Sequence, residues 1–229
     1  MTSSAIVLLA AGSGRRVGAD RNKVLLPLAG VPLLAYAVRT ALEVDDVHRI
    51  VVVVRHEDRD AVSTALAPHL GTHDLWLVDG GDERHDSEAA ALAALRPEIE
   101  AGEITVVAIH DAARPLASAA LFRTVVDTAA AHGSAVPALP VGQLSRADGD
   151  LAPDDLVAVQ TPQAFGARAL LDAYDAAAAD GFTGTDTAAC LERYAAASIR
   201  SVPGERTNIK VTFGEDLALA EQLLTPASG

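Results

Sequence analysis

The sequence is short of cysteine, and it has no long hydrophobic run. Cys190 is the only cysteine among 229 residues, which excludes an internal disulfide and suits a reducing cytoplasm. The longest apolar runs, 5–11 and 50–54, fall far short of the ~20 residues that a membrane-spanning helix needs. The first run is a poor signal peptide because no Lys or Arg precedes it and a glycine-rich stretch follows. The sequence therefore predicts a cytoplasmic protein that has no membrane partner.

Positive charge and aromatic residues are also scarce. Eighteen Lys and Arg stand against 31 Asp and Glu, which gives a formal net charge of -13 and argues against nucleic acid as a partner. Aromatic residues make up 3% of the chain and hydrophobic residues 50%, so the core must be built from Ala, Val and Leu. Such a composition is compatible with layers of helix and sheet.

Strand-like and helix-like segments alternate along the first 138 residues. Short apolar runs typical of buried parallel strands occupy 5–9, 49–54, 75–78, 104–109 and 134–138. Helical spacing of apolar residues is found at 33–42, 58–66, 87–95, 118–131, 167–178, 185–195 and 215–224, with an extended piece at 197–202. The alternation predicts an α/β fold, with a mostly parallel twisted sheet and helices on both faces. Ligands are then expected beyond the carboxyl ends of the strands.

One segment breaks this alternation. Residues 140–158 are rich in Pro, Gly and Asp, and they are too many for an ordinary turn in a compact domain. We expect residues 1–229 to form a single domain from which residues 139–160 project as a β-arm.

The first strand runs into a glycine-rich segment that carries three cations. Glycines at 12, 14 and 18 let backbone N–H groups approach phosphate oxygens, and Arg15, Arg16 and Lys23 add positive charge to an otherwise acidic chain. The spacing is not that of the dinucleotide fingerprint, and no Gly-Lys-Ser/Thr ending makes it a P-loop. We interpret the segment as a phosphate site; a purely structural turn is the alternative.

Two further segments follow predicted strands. In residues 79–87, Gly80 and Gly81 allow a flat base or ribose to lie on bare backbone, with Ser87 as an expected helix N-cap. The alternative is a plain loop with a capping serine. At the end of the fourth predicted strand stands Asp111, a carboxylate that must be solvated or paired, and it suits a metal or a sugar hydroxyl. A simple ion pair with Arg114 is the alternative there.

Two other residues near predicted strands are interpreted from their surroundings. His110 is expected to make a local hydrogen bond rather than to act as a base. Lys210 lies in a strand-like apolar run, where a lysine without an anionic partner would lower stability, so we expect it to meet phosphate.

These segments, in this order, resemble the 2-C-methyl-D-erythritol 4-phosphate cytidylyltransferases of isoprenoid synthesis by the non-mevalonate pathway. The resemblance covers nearly the whole chain, from Ala10-Ala11-Gly12-Ser13-Gly14-Arg15-Arg16 to Asn208-Ile209-Lys210-Val211-Thr212. It implies a Rossmann-like nucleotidyltransferase fold, a homodimer joined through the arm, CTP and a polyol phosphate as substrates, and Mg²⁺ as the divalent cation. The similar pentitol-phosphate enzymes, such as those for ribitol 5-phosphate, share most of these motifs.

The resemblance also implies roles for individual residues. Those around the triphosphate are Ala10, Ala11, Gly12, Gly14, Arg15, Arg16 and Lys23. Those around cytosine and ribose are Gly81, Asp82, Arg84, Ser87 and Ala112. Those facing the reacting phosphates and the acceptor are Asp111, Arg114, Thr161 and Lys210. Arg16, Lys23, Lys210 and Asp111 would be catalytic, and Asp111 would also be a ligand of an Mg²⁺ ion held mainly by the CTP phosphates.

The arm departs from the family pattern. Leu144 stands where the family has a threonine used on the acceptor, and Pro153 stands where it has an arginine that reaches the acceptor's phosphate. Asn22 replaces a usual proline before the lysine, and Thr207 a frequent acidic residue. Three hypotheses stay open: an isoprenoid enzyme, an enzyme for another polyol phosphate, or a CTP-binding relative with little turnover. A sugar-nucleotide pyrophosphorylase or glycosyltransferase of similar fold is a further alternative.

Overall fold

A computed structural model describes residues 2–12, 22–142, 153, 155–184, 187–195 and 198–224. The strands in these residues are β1 (Ser4–Leu9), β2 (Pro27–Leu28), β3 (Val31–Pro32), β4 (Val47–Val54), β5 (Trp76–Asp79), β6 (Val106–Asp111), β7 (Ser134–Pro140), β8 (Val157–Val159), β9 (Gln163–Gly166) and β10 (Ser201–Pro203). The helices are α1 (Leu33–Leu42), α2 (Arg59–Leu66), α3 (Arg84–Glu100), α4 (Ala119–His132), α5 (Ala167–Asp180), α6 (Thr187–Tyr194) and α7 (Gly214–Leu224).

The main sheet is mostly parallel, as the sequence predicts. Its order is β10-β7-β9-β6-β1-β4-β5, with β8 paired antiparallel to β7 and with β2 and β3 forming a separate hairpin. Within the order only β9 runs against its neighbours, β6 and β7. The register aligns Leu9 with both Val53 and Asp111, so the carboxyl ends of β1, β4 and β6 lie at one edge.

Helices cover both faces of the sheet. Successive side chains of β1 are apolar and point to opposite faces, so each face needs a layer of helices to bury it. Ile6 and Leu8 pack in a core with α1, α2 and α4, whereas Ala5 and Val7 pack in a second core with α3, α5 and α6. The largest fully buried side chains of the molecule are Phe122 and Phe165, one in each core. The rest of both cores is largely Ala, Val, Leu and Ile, as the composition requires.

Three features differ from the prediction or extend it. The antiparallel strand β9 and the β2–β3 hairpin were not predicted, because each is too short to give a clear apolar pattern. The run at 208–212 is not a strand, although its composition suggests one. Residues 143–152 and 154 of the predicted arm lie outside the described residues, but its base is a ladder in which β8 pairs with β7 from Ala138 to Pro140. In the described part of the chain, every helix is too short or too polar to span a bilayer.

Candidate active site

A cleft of about 760 Å³ opens at the carboxyl ends of β1, β5 and β6. Its walls come from the end of β1, the turn after β5, the start of α3, the tip of β6 and the segment at 210–212. The residues that line it are Leu9, Ala11, Gly12, Lys23, Val24, Arg55, His56, Glu57, Gly80, Gly81, Asp82, Glu83, Arg84, Ser87, Asp111, Ala113, Lys210 and Thr212. This is the edge at which the sequence places ligands.

Asp111, at the tip of β6, faces three cations. Arg84 pairs with its Oδ1 atom, and the Lys210 ammonium lies 2.7 Å from its Oδ2 atom. Arg114, the partner considered from the sequence, is more distant, with its Nε atom 3.9 Å from Oδ2. Only 9% of the Asp111 side chain is exposed, so the carboxylate is stable there because these cations compensate its lost hydration.

The pKa values of this cluster follow from burial and charge. Burial alone would raise the pKa of Asp111, but the charges and hydrogen bonds of Arg84 and Lys210 lower it well below its ordinary range. Burial opposes the charged form of Arg84, but Asp111 and Glu88 raise its pKa. Asp111 is therefore a carboxylate at neutral pH, and positive charge exceeds negative charge around it.

His110 lies behind the cleft and holds the tip of β6 in place. Its Nε2 atom lies 3.1 Å from the carbonyl oxygen of Arg114, and its Nδ1 atom lies 3.1 Å from the Thr161 hydroxyl. That hydroxyl accepts a hydrogen bond from the Asp111 N–H at 3.0 Å. Burial lowers the pKa of His110 to about 4, so the ring is neutral, donates through Nε2 and accepts at Nδ1. This is the structural role that the sequence predicts.

Both lysines of the chain, Lys23 and Lys210, line the cleft. They reach it from distant parts of the sequence, and the Lys23 ammonium donates to the Val211 carbonyl at 3.1 Å. The segment that carries Lys210 is fixed by the buried Asn208, whose side chain donates to the Thr161 carbonyl at 2.8 Å. A backbone hydrogen bond also holds the segment, because the Val211 N–H donates to the Ala113 carbonyl at 2.8 Å.

The turn after β5 approaches the glycine-rich segment too closely for a side chain. A Cβ atom on Gly80 would lie 2.7 Å from Ser87 Oγ and 2.8 Å from the Ala11 Cβ atom, so glycine is required there. Helix α3 begins earlier than predicted, because Glu83 and Asp86 form a capping box and Glu83 is the N-cap. The expectation that Ser87 is the N-cap is therefore wrong. Ser87 is buried in the first turn, 3.5 Å from the Gly81 carbonyl oxygen.

A buried carboxylate that the sequence pattern did not reveal lies next to this cluster. Glu88 is 1% exposed and lies 3.0 Å from Arg84 Nε, while Tyr174 and Thr187 both donate hydrogen bonds to it. Burial raises the pKa of Glu88, and the Arg84 charge opposes that rise. The spacing of four residues between Arg84 and Glu88 within one helix was the signal that could have revealed the pair.

Comparison with known proteins places the chain in a family. The model of the IspD family, 2-C-methyl-D-erythritol 4-phosphate cytidylyltransferase, matches residues 4–226. The chain belongs to this family. A relative of that name from Symbiobacterium thermophilum is 40% identical, over 96% of this chain and 92% of its own length. Another from Bacillus velezensis is 34% identical, over 98% of this chain and 97% of its own.

Solved structures agree with the family assignment. The 4-diphosphocytidyl-2C-methyl-D-erythritol synthase of Anaerococcus prevotii has a TM-score of 0.82 and 26% identity, covering 97% of this chain and 96% of its own. The cytidylyltransferase from Thermus thermophilus has a TM-score of 0.74 and 29% identity, covering 97% of this chain and 98% of its own. The Rossmann-like nucleotidyltransferase fold expected from the resemblance is thereby confirmed, as is the assignment to a family of CTP-using nucleotidyltransferase enzymes.

The site residues that the IspD resemblance implies divide into three groups. Those in the cleft wall are Ala11, Gly12, Lys23, Gly81, Asp82, Arg84, Ser87, Asp111 and Lys210. Those behind or beside it are Ala10, Ala112, Arg114 and Thr161. Those outside the described residues are Gly14, Arg15 and Arg16, together with Leu144 of the arm. The structure thus brings together nine predicted residues from five separate segments.

Proposed function

We propose that this chain transfers CMP from CTP to 2-C-methyl-D-erythritol 4-phosphate and releases pyrophosphate. The observation that carries the proposal is the cluster at the tip of β6, where Arg84, Lys210 and Arg114 lie within 4 Å of Asp111 and outnumber the carboxylates of Asp111 and Glu88. Family members with this reaction in their names are up to 40% identical among the relatives described above. Both lysines of a chain of net charge -13 lie in this cleft, which suits a polyanionic substrate.

The reaction needs little from the protein besides positioning and charge. An oxygen of the acceptor's phosphate attacks the α-phosphorus of CTP, the bond from that phosphorus to the bridging oxygen breaks, and pyrophosphate leaves. The attacking oxygen is already mostly ionised at neutral pH, so no general base is required. Lys23 and Lys210 would offset the repulsion between the two substrates and stabilise the charge that develops on the transferring and leaving phosphates.

A magnesium ion fits this residue set through a single protein ligand. Mg²⁺ in nucleotide enzymes is held by one or two carboxylates together with substrate phosphates, and Asp111 is a carboxylate in the cleft wall. The bound ion would neutralise phosphate charge. We infer that Asp111 would hold it together with the CTP phosphates.

The arm raises a second candidate acceptor. Leu144 and Pro153 lack the hydroxyl and the positive charge that the resemblance places on the acceptor, so a different polyol phosphate such as ribitol 5-phosphate is the second candidate. The homodimer expected from the resemblance would also use this arm. Leu156, Val157 and Val159 at its base are 41–49% exposed, which gives a partner subunit apolar surface to cover. The buried single thiol suits the cytoplasm as the place of action.

The test mixes the protein with CTP, Mg²⁺ and either 2-C-methyl-D-erythritol 4-phosphate or ribitol 5-phosphate, and it follows pyrophosphate release. Faster release with the first acceptor supports the proposal, and faster release with the second supports the alternative. If neither acceptor reacts while CTP still raises the melting temperature, the chain is a CTP-binding relative with little turnover. Parallel titrations with UTP, GTP and ATP would distinguish a sugar-nucleotide enzyme.

A further inference from the structure

Asn22 is the first described residue after the glycine-rich segment, and its side chain is almost completely buried, at 1% exposure. It precedes a short helical turn at Lys23–Leu25. Its Oδ1 atom accepts a hydrogen bond from the Val24 N–H at 3.2 Å, and its own carbonyl accepts one from the Leu25 N–H at 3.0 Å. Asn22 therefore caps the turn that carries Lys23.

The amide group of the same side chain reaches two other segments. Nδ2 donates to the Ala10 carbonyl at 3.0 Å, just beyond the end of β1, and to Asp58 Oδ2 at 2.8 Å. The carboxylate of Asp58 is itself fixed by Arg55 Nε at 2.6 Å. One amide thus joins the point where the chain leaves β1, the point where it returns, and the turn after β4.

All three connected segments contribute to the cleft wall. Ala11 and Gly12 directly follow Ala10, Lys23 follows Asn22, and residues 55–57 precede Asp58. Both N–H groups and the oxygen of this buried amide have partners, so the amide holds those partners in one arrangement. Loss of the side chain would leave the buried partners without their hydrogen bonds. Lys23 also donates to the Val211 carbonyl, so its ammonium is held by a part of the chain distant from Asn22.

We propose that Asn22 is a positioning residue for the nucleotide: its side chain sets Ala11, Gly12 and Lys23 at the distance at which they hold the CTP phosphates. Asn22 acts through its neighbours and does not itself line the cleft. The inference rests on the proposed function, because it requires that CTP binds this cleft.

The test compares CTP binding, measured by calorimetry with Mg²⁺, in the native chain and in two variants. Asn22→Ala removes all three side-chain hydrogen bonds. We expect its CTP affinity to fall at least tenfold, with a matching rise in the KM for CTP and no change in the KM for the acceptor. Amide hydrogen exchange should become faster at Val24, whose N–H loses its acceptor, the Asn22 Oδ1 atom. If Asn22 only stabilised the fold, its replacement would change the KM for CTP and the KM for the acceptor to the same extent.

Asn22→Asp is the sharper variant, because it keeps the size of the side chain and its acceptor for Val24. The change replaces the Nδ2 amide group, with both of its N–H donors, by a carboxylate oxygen. In the native chain Nδ2 lies 2.8 Å from Asp58 Oδ2, so the variant sets a second carboxylate against Asp58. Two carboxylates this close share one proton as the pH falls, and the shared proton restores one hydrogen bond. We expect its CTP affinity, relative to the native chain at each pH, to recover between pH 7 and pH 5.

A matched control is Ser134→Ala. This change removes the hydrogen bond that the buried Ser134 donates to the Ser198 carbonyl at 2.9 Å, far from the cleft. It should lower the melting temperature without changing CTP affinity. Native affinity in a folded Asn22→Ala chain would overturn the inference, as would an Asn22→Asp chain whose relative affinity does not respond to pH. If the native chain itself binds no CTP, the proposed function fails instead, so the two failures are distinguishable.

Discussion

Two charge clusters, one at each end of the central sheet, differ in the balance of their charges. At the carboxyl end, one carboxylate, Asp111, faces Arg84, Lys210 and the more distant Arg114. Near the start of β4, at the other end, Glu98 pairs with Arg49 and lies 3.5 Å from His48, which in turn lies 3.8 Å from Glu103. Carboxylates there meet one guanidinium and one imidazole.

The difference indicates which end is built for a ligand. Near the start of β4, Arg49 is the one permanently charged cation beside the carboxylates of Glu98 and Glu103, so nothing there calls for an anionic ligand. In the cluster around Asp111, three cations outnumber the carboxylates of Asp111 and Glu88 within a chain of strongly negative net charge, an arrangement suited to an anionic ligand. The position of both lysines at this end makes the same point.

The largest expected effect comes from breaking the excess of positive charge. Lys23→Ala should lower turnover at least a hundredfold while the fold persists, because one well-placed donor to developing charge contributes about 3 to 4 kcal/mol to the transition state. Turnover is measured as pyrophosphate release at saturating CTP. Native turnover in this variant would remove Lys23 from the mechanism.

Chemical modification of the two lysines can also show whether CTP binds this cleft. Because Lys23 and Lys210 are the only lysines in the sequence, side-chain amines react with an acetylating reagent at the cleft alone. CTP should protect both from modification, as measured by mass spectrometry, and labelling that is indifferent to CTP would contradict the assignment of this cleft to the nucleotide.

The next effect is a loss of folding stability at acid pH, which we expect because of His110 at the cleft end of the sheet. Its pKa in the folded chain is about 4 against 6.5 for a free side chain, so the unfolded chain takes up a proton that the folded chain refuses. The stability from this residue is complete above pH 6.5 and is lost as the pH falls toward 4. The size of the loss is about 3 kcal/mol, from about 1.4 kcal/mol for each pKa unit.

The contribution of His110 is measured as the difference between the free energies of unfolding of the native chain and of a His110 variant. Burial raises the pKa of Glu88, whose protonation on acidification favours the folded state and opposes the effect of His110. Urea unfolding of the native chain and of His110→Gln between pH 7 and pH 4 separates the two, since Glu88 is present in both. Parallel curves for the two chains would show that His110 does not titrate as we expect.

The sequence predicts well those parts of the fold that depend on local pattern. Helix α1 lies at Leu33–Leu42, as its apolar spacing predicts, and β1 differs from the predicted 5–9 by one residue. The tip of β6 was predictable to within two residues, because Asp111 comes two residues after the apolar run that ends at Ile109. Its position next to Lys210 was not, since the contact joins residues 99 apart in the sequence.

The parts that were missed depend on contacts between distant segments. Strand β9 has four residues and is a strand because β6 and β7 pair with it on either side. The start of α3 was placed three residues late, since the capping box of Glu83 and Asp86 was not recognised. Lys210 was placed in a strand, but the segment around it is instead held by side chains such as Asn208, which the apolar pattern does not reveal.

The smallest expected effect tests the end of the sheet that is remote from the cleft. Glu103→Gln removes a half-exposed carboxylate from the His48 group, where an ion pair contributes less than about 1 kcal/mol. Its free energy of unfolding should change by no more than that, and its turnover and CTP affinity should equal those of the native chain. A loss of CTP affinity in this variant would mean that the two ends are coupled through the sheet. The charge at the start of β4 would then belong to the nucleotide site as well, and the contrast between the ends would no longer identify where the ligand binds.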